Sequence, residues 1–366
     1  MKDLKALAVY LPQFHPIVEN DEWWGKGFTE WTNVTKAQQL FSGHYQPRLP
    51  ADLGFCDLRL PETRQAQADL ARQYGIDGFC YYHYWFEGRR LIERPFNEVL
   101  ASGKPDFPFC LCWANETWSR RWLGEEQEVL MKQGYSMADH ERHAAWLAQA
   151  FDDQRYVRVA GRPVFLIYRP LDIPELQLAL DVYRQTVSRL IGVDPYLVGV
   201  DSHKPGMDLR TAGFDASMNF TPQLGFVPNA LDDRFSKKRL LRNFRQGIWN
   251  SRPTVANYGQ SSDEMWRRRP THDGWFPSVF VGWDNTARRG QRGVVMLDDG
   301  PDAFAKNVRR ALGLLQSRPQ GEQILFVNAW NEWAEGNHLE PDQRHGHGYL
   351  KALQQELQAV RGGTSA

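Results

Sequence analysis

Eight short apolar runs, separated by longer stretches, are the feature that most limits how this chain can fold. The runs are rich in Val, Ile, Leu, Phe or Tyr and are bounded by polar residues, Gly or Pro, which is typical of parallel strands. The predicted strands are Lys5–Tyr10, Gly78–Tyr82, Phe107–Trp113, Val164–Tyr168, Tyr196–Val200, Ala216–Asn219, Val279–Trp283 and Ile324–Trp330. Parallel strands need crossover connections, so helices are expected between them.

The intervening stretches carry apolar residues at helical spacing. Predicted helices are Pro61–Tyr74, Ser136–Phe151, Pro174–Ile191, Ala303–Gln316 and Tyr349–Val360. Eight such units in 366 residues predict an α/β fold, a single (β/α)8 TIM barrel over residues 1–366. No linker-like tract divides the chain, and a doubly wound sheet would need no eighth strand. Long connections follow strand one (Leu11–Leu60) and strand six (Phe220–Pro277), and loops of such length are normally functional.

Composition and charge exclude several classes of protein. Lys plus Arg and Asp plus Glu both number 44, so no overall charge attracts nucleic acid, and no nucleic-acid partner is expected. The charged N-terminus lacks the pattern of a signal peptide. No apolar stretch approaches the roughly 18 residues of a membrane helix. Four cysteines are too few for a disulfide scaffold. We therefore expect a cytoplasmic protein with reduced thiols and no integral membrane segment.

Tryptophan is unusually abundant, and ten of the 14 Trp residues lie at predicted strand ends or in the loops that follow them. They are Trp23, Trp24, Trp31, Trp85, Trp113, Trp118, Trp122, Trp283, Trp330 and Trp333. In a (β/α)8 barrel these positions converge on one rim. Any single one is compatible with a plug for the barrel mouth, but the set favours a sugar-binding cleft, because indole faces stack on the apolar faces of sugar rings.

Polar residues capable of binding sugar hydroxyls lie beside these tryptophans. They are His15, Glu30, Asn33, His83, Tyr84, Asn115, Glu116, Tyr168, Arg169, Asp201, His203, Asn219 and Asn331. Each alone is more typical of a cap or loop residue. Their coincidence at most of the strand ends favours a substrate site.

Two glutamates three residues apart, Glu332 and Glu335, follow strand eight. Glycosidic bond chemistry needs two carboxyls at close range, one to donate a proton and one to stay anionic. If the chain turns helically here, their Cβ atoms come within about 5–6 Å. That spacing is compatible with the roughly 5–5.5 Å carboxyl separation of retaining enzymes. The two residues are therefore the predicted catalytic pair.

Other chemistries find little support in the sequence. There is no G-x-S-x-G elbow, no dinucleotide fingerprint and no P-loop. The pairs Cys110/Cys112 and His345/His347 each lack the further ligands of a typical metal site, and no Asp-x-Asp clamp occurs. We expect no cofactor and no metal.

A basic segment, Arg234–Arg269, contains ten Lys or Arg residues against two acidic ones. A solvated helical insertion and an RNA-binding surface are two interpretations. A third is a contact with an anionic glycan, a lipid-linked glycan or a membrane surface.

Six ordered motifs resemble one known family. They are Tyr10-Leu-Pro-Gln-Phe-His-Pro16, Trp23-Trp-Gly-Lys-Gly-Phe-Thr-Glu-Trp-Thr-Asn-Val34, Gly43-His-Tyr-Gln-Pro47, Gly78-Phe-Cys-Tyr-Tyr-His-Tyr-Trp-Phe86, Leu111-Cys-Trp-Ala-Asn-Glu116 and Asn328-Ala-Trp-Asn-Glu-Trp-Ala-Glu-Gly336. They resemble the WbsX-type family from residue 5 to about 355. That family is labelled a glycosyltransferase of bacterial surface-polysaccharide loci and is similar to the endo-mannosidases of glycoside hydrolase family 99.

The resemblance implies a barrel and roles for the glutamate pair. Glu332 would be the base that removes a proton from the sugar 2-hydroxyl, and Glu335 the acid/base on the leaving oxygen. Ala334 stands where the hydrolases typically have histidine. This difference bears on which molecule reacts with the sugar, and not on the glutamate pair itself.

These observations predict a carbohydrate-active enzyme that retains configuration while it cleaves or transfers a glycosidic bond of a bacterial surface polysaccharide (O-antigen or capsule). The expected partner is an oligo- or polysaccharide. A glycosyltransferase using an activated donor and a non-catalytic glycan-binding barrel are the alternatives.

Overall fold

A computed structural model of the protein describes residues 1, 3–120, 125–227 and 253–362, with only the backbone described at 120 and 125–128. Trp122 and residues 234–252 of the basic segment lie outside the described residues. Within the described ranges, no helix has both the length and the apolar character needed to cross a bilayer.

Eight parallel strands form a closed barrel, which confirms the predicted fold class. They are β1 (Lys5–Tyr10), β2 (Gly78–Phe86), β3 (Phe109–Trp113), β4 (Arg162–Ile167), β5 (Tyr196–Val200), β6 (Ala216–Asn219), β7 (Trp275–Phe280) and β8 (Ile324–Asn328). Each strand pairs with its successor, and β8 pairs with β1 through Lys5↔Ile324 to Ala8↔Val327. The barrel therefore has no open edge.

Two strands differ markedly from their predictions: β2 continues four residues past its predicted end at Tyr82, to Phe86, and the largest displacement is that of β7. It begins at Trp275 and includes Pro277, a residue that argues against a strand interior because it lacks an N–H donor. For this reason the predicted strand, Val279–Trp283, began four residues too late. The connection that precedes β7 ends at Gly274.

The helices of the described residues are α1 (Val18–Trp24), α2 (Glu30–Lys36), α3 (Pro61–Gln73), α4 (Arg94–Ser102), α5 (Met137–Phe151), α6 (Leu176–Ile191), α7 (Tyr258–Arg267), α8 (Thr286–Arg289), α9 (Pro301–Leu315) and α10 (Gly348–Arg361). The five predicted helices correspond to α3, α5, α6, α9 and α10, and their ends agree to within two residues. Between β5 and β6 the structure has a 3-10 turn, Leu209–Ala212.

Short strands lie in the loops at both ends of the barrel; of those below, Arg158–Val159 pairs with the amino end of β4. A hairpin pairs Trp118–Arg120 with Glu125–Met131, and a smaller one pairs Asn331–Glu332 with Asn337–His338. Other short strands are Arg89–Leu91, Arg158–Val159, Thr254–Asn257 and Val294–Leu297.

Large aromatic side chains pack between the barrel and its helices. The Phe79 ring lies 4.9 Å from the Tyr10 ring and 5.2 Å from the Trp330 ring, measured between centroids, and the Tyr10 hydroxyl donates to Gln67 of α3 at 2.7 Å. The alternate positions of β2 face into the barrel, and one of them, Tyr82, reaches the cavity at the carboxyl ends of the strands.

Candidate active site

A cavity of about 490 Å³ opens at the carboxyl ends of the barrel strands. Every barrel strand, or the segment that follows it, contributes to the wall. The lining includes Leu11, Asn20, Trp24, Tyr82, Tyr84, Glu116, Trp118, Tyr168, His203, Phe220, Trp283, Asn285, Arg288, Arg289, Asn328, Glu332 and Glu335. This is the position at which (β/α)8 barrels carry their active sites.

Both predicted catalytic glutamates line this cavity, but they do not sit on an α-helix. Glu332 ends a two-residue strand, and Glu335 ends the 3-10 turn Trp333–Glu335. The turn is closed by the pairing of Asn331–Glu332 with Asn337–His338. Asn331 anchors it to the barrel, because its amide binds the backbone N–H of Leu11 (2.8 Å) and the backbone carbonyl of Leu11 (2.9 Å).

A single guanidinium joins the two glutamates. Arg288 donates from Nη2 to Glu332 Oε2 at 2.9 Å and from Nη1 to Glu335 Oε1 at 2.6 Å. Its Nε donates to Glu30 Oε1 at 2.8 Å. The side chain of Glu30 is fully buried and that of Arg288 is nearly so. One cation thus faces three carboxyl groups in a site largely shielded from water.

Burial and crowding raise the pKa of both glutamates in this cluster. Burial raises the pKa of Glu332 to about 8, with a further contribution from Glu335, while Arg288 acts in the opposite direction. The pKa of Glu335 is also raised by burial, again against the effect of Arg288. Displaced carboxyl pKa values are typical of groups that exchange protons during catalysis.

Four predicted substrate-binding residues line the same cavity: Tyr84, Glu116, Tyr168 and Trp283. Glu116 accepts a hydrogen bond from Arg169 Nη1 at 3.1 Å. Trp24 and Trp118, from the set of rim tryptophans, also contribute to the wall.

The remaining predicted substrate-binding residues do not line the cavity. They are His15, Trp23, Trp31, Asn33, His83, Trp85, Trp113, Asn115, Asp201, Asn219, Trp330 and Asn331. The structure gives most of them other partners, and their contact with substrate stays a prediction.

Trp113 and Trp330 lie in the core and not in the cavity wall. Both are completely buried. Trp113 stacks edge-on against His143 at 4.8 Å, and its Nε1 donates to the carbonyl of Trp85. Because no face of either indole is exposed, neither can stack on a sugar ring; each fills the core.

Hydrogen bonds occupy several of the other side chains. The Nε1 atoms of Trp85 and Trp31 donate to Asp139 Oδ2 and to the carbonyl of Cys56. Asn219 donates to Asp201 at 3.1 Å. The His83 ring stacks on Trp146 with 4.8 Å between centroids.

The last four residues of the set are Asn115, Trp23, His15 and Asn33. Asn115 Nδ2 donates to the carbonyl of Arg169 at 2.9 Å. Trp23 packs edge-on against Trp118. The His15 ring and the Asn33 amide nitrogen are buried.

Sequence reasoning missed Arg288, the residue that organises the site. Nothing in its local sequence distinguishes it from Arg289 beside it, which makes no ion pair with any described residue. It also missed Asn20 and Asn328, which line the cavity. Asn20 is fully buried, and neither of its amide atoms has a hydrogen-bond partner among the described residues.

Trp113 and Trp118 should respond differently to truncation. Trp113→Ala should lower the free energy of unfolding by about 3–5 kcal/mol, because it empties a packed core position. Trp118→Ala should weaken glycan binding by about 1–3 kcal/mol with a smaller change in stability, because this residue lines the cavity. Chemical denaturation and calorimetric titration with a glycan measure the two effects. Weaker binding by a stably folded Trp113→Ala variant would contradict the core assignment.

Known proteins are similar to this chain in sequence and in fold. Residues 6–353 match the family model described as Glycosyltransferase WbsX. The chain is 41% identical over 356 residues to the uncharacterized protein WxcX of Xanthomonas campestris pv. campestris, a match that covers 96% of this chain and 49% of that protein. The chain thus spans about half the length of the curated relatives it matches.

Among solved structures, the fold is similar to that of the GH99 endo-alpha-mannosidase from Bacteroides thetaiotaomicron, with a TM-score of 0.60 at 14% identity over 98% of this chain and 97% of that one. A glycoside hydrolase-like protein gives a TM-score of 0.60 at 15% identity over 97% and 94% of the two chains. At such identities the likeness shows a shared barrel fold. Because the family match spans nearly the whole sequence, the chain belongs to the WbsX glycosyltransferase family.

Proposed function

We propose that the protein acts on a glycosidic bond of a bacterial surface polysaccharide and retains the configuration of the anomeric carbon. The observation that carries the proposal is the pairing of Glu332 and Glu335 on one guanidinium, at the rim of a barrel cavity. Acid–base cleavage of an acetal requires two carboxyl groups within reach of one bond, one to donate a proton and one to accept a proton.

In the proposed reaction Glu332 removes the proton from the sugar 2-hydroxyl, and the resulting oxygen attacks the anomeric carbon. Glu335 donates a proton to the departing glycosidic oxygen as that bond breaks. In the second step Glu335 takes a proton from the incoming hydroxyl, which opens the three-membered ring and returns the 2-hydroxyl its proton through Glu332. The two inversions together give net retention.

Polar atoms in the cavity wall support a sugar as the ligand. Trp283 Nε1 and Asn328 Oδ1 are buried without partners among the described residues, as are both amide atoms of Asn20. Asn328 Nδ2 donates to the carbonyl of Thr221, so its oxygen is the atom left over. A hydroxyl-rich ligand supplies both donors and acceptors to such groups.

The acceptor in the second step distinguishes the candidate activities. Water makes the protein a hydrolase, and a sugar hydroxyl makes it a transglycosylase. The family description, Glycosyltransferase WbsX, favours a third candidate in which an activated sugar is the donor. A barrel that binds glycan without turnover is the fourth.

Product analysis separates these activities. The protein is incubated with the surface polysaccharide of its source bacterium, with α-mannobiosides, and separately with nucleotide sugars, and the products are identified by mass spectrometry. Shortened or rearranged glycans support the proposal. Nucleotide released only in the presence of an acceptor would replace it with glycosyl transfer from a nucleotide donor, and binding without any product would replace it with a lectin-like role.

The pH dependence of kcat/KM should report the displaced pKa of Glu332. A base must be ionised to accept a proton, so activity should fall as pH decreases below about 8, the value to which burial raises this pKa. Rates measured from pH 5 to pH 9 test this expectation. An acid limb near 4.5, the ordinary value for glutamate, would show that the pKa of the base is not raised in the free enzyme.

The cellular setting follows from the same proposal. We propose a cytoplasmic enzyme of polysaccharide metabolism in which residues 1–366 act as one catalytic domain. The four cysteines are free, which fits a reducing compartment. A contact between Arg234–Arg269 and a lipid-linked or anionic glycan remains part of the proposal, although residues 234–252 lie outside the described ranges.

A further inference from the structure

His44, from the Gly43–Pro47 motif of the long first connection, is buried against the loop that follows β7. Its Nδ1 accepts a hydrogen bond from the backbone N–H of Leu40 at 3.1 Å. The ring proton therefore sits on Nε2, which donates to Asp284 Oδ2 at 2.7 Å. Both side chains are 1% exposed, so this contact is shielded from competing water.

Asp284 connects the two segments that carry the catalytic cluster. Its Oδ1 accepts hydrogen bonds from Thr286 Oγ1 at 2.5 Å and from the Thr286 backbone N–H at 3.1 Å, at the start of α8. Its own backbone N–H donates to the carbonyl of Glu335 at 2.6 Å. One residue thus holds the turn that presents Arg288 and the turn that presents Glu335.

Charge and packing fix Asp284 in this role. Although burial acts to raise its pKa, the hydrogen bond from His44 and the charge of Arg48 hold that pKa below its ordinary value, so the carboxylate is ionised. Gly336 follows Glu335 with φ at +59°, and a Cβ there would lie 2.9 Å from Arg48 Nε and 3.0 Å from Asp284 Cβ. Only glycine allows so close an approach.

We propose that His44 is a positioning residue for the acid/base step, acting through Asp284 on Glu335 and Arg288. The inference rests on the proposed function, because it takes Glu335 as the acid. The hydrogen bond from His44 orients the Asp284 carboxylate. Asp284 in turn fixes the position of the Glu335 turn relative to α8. A displacement of this kind impairs proton donation more than substrate binding.

The test compares His44→Leu, which removes the donor, with His44→Gln, whose amide can still donate to Asp284. Each variant is assayed on an oligosaccharide that the parent cleaves and on the 4-nitrophenyl glycoside of the same sugar. In His44→Leu, kcat on the oligosaccharide should fall at least about tenfold more than kcat on the nitrophenyl glycoside, which needs little acid assistance, while KM changes little. His44→Gln should recover most of the loss.

His347 provides a matched control, since it pairs with Asp52 at 2.6 Å in a more exposed histidine–aspartate pair that has no part in the cavity wall. His347→Leu should leave the ratio of the two rates unchanged. Equal losses on both substrates in His44→Leu, or no recovery in His44→Gln, would overturn the inference. Thr286→Val, which removes the Oγ1 donor at nearly constant shape, provides the same comparison if His44→Leu does not fold.

Hydrogen exchange tests the link without relying on turnover. Peptides containing Asp284 and Glu335 should exchange faster in His44→Leu than in the parent or in His347→Leu. If the parent cleaves no glycoside, the proposed function fails, and exchange alone then decides whether His44 orders these two turns. Unchanged exchange at both turns would overturn the inference.

Discussion

Glu332→Gln is expected to abolish turnover of every glycoside, whatever its leaving group. Glutamine keeps the shape of the side chain but cannot accept a proton, so the 2-hydroxyl is no longer activated. A loss of about 10²–10⁴-fold is typical when an acid–base group is removed. A substrate that lacks the 2-hydroxyl should be inert even with the parent enzyme, because its internal nucleophile is missing.

Glu335→Gln should fail in a different way. A nitrophenolate leaves without acid assistance, so the first step with an activated glycoside should be partly spared, while an unactivated glycoside should lose about 10²–10⁴-fold in rate. Because ring opening also uses Glu335, the contrast is measured as the rate of nitrophenol release in the first turnover, alongside steady-state rates of parent and both variants on the two substrates. Parent-like rates in either variant, or rapid cleavage of the 2-deoxy substrate, would reduce the pair to carboxyl groups that only bind hydroxyls.

Arg288→Met is expected to destabilise the folded protein more than most single substitutions. It leaves Glu30, Glu332 and Glu335 without their shared cation in a buried site. Removing one partner of a buried ion pair typically costs about 3–5 kcal/mol. Activity should also disappear, because the two carboxyls proposed as catalytic lose the group that holds them together.

The pH dependence of this loss has a definite sign. The pKa values of Glu332 and Glu335 are already raised in the folded state, so the folded protein holds protons that the unfolded chain releases between the ordinary glutamate pKa and about 8. Stability from this source is lost as pH rises through that window. Without Arg288 both pKa values rise further, so the folded variant keeps protons that the folded parent releases, and the gap in stability between parent and variant should widen as pH rises through the parent's pKa values, for example between pH 7 and pH 9.

Denaturant titrations at both pH values measure the effect. Arg289→Met is the control, since Arg289 makes no ion pair with any described residue, and it should change stability by less than about 0.5 kcal/mol. Adding Glu30→Gln to Arg288→Met should restore part of the stability, because one buried charge is removed. An Arg288→Met protein as stable as the parent at pH 8 would show that the three carboxyl groups do not need the cation.

The sequence by itself determined the barrel and pointed to the glutamate pair that we propose as catalytic. Each strand has its own apolar run in the sequence, and seven of the eight predicted strands agree with the structure apart from their ends. The start of β7 was missed because Pro277 argues against a strand. Glu332 and Glu335 could be predicted because both lie in one segment directly after β8. These signals are local, since burial of a strand and the turn after it are written in consecutive residues.

Only the tertiary structure decided which partners meet in the site. Arg288 lies 258 positions from Glu30 and 44 from Glu332, and His44 lies 240 positions from Asp284. The tertiary structure also decided that Trp113 fills the core while Trp118 lines the cavity, although Trp113 ends β3 and Trp118 lies only five residues further along the chain. Barrel closure and loop packing bring distant segments together, and no local pattern in the chain records which side chains they place in contact.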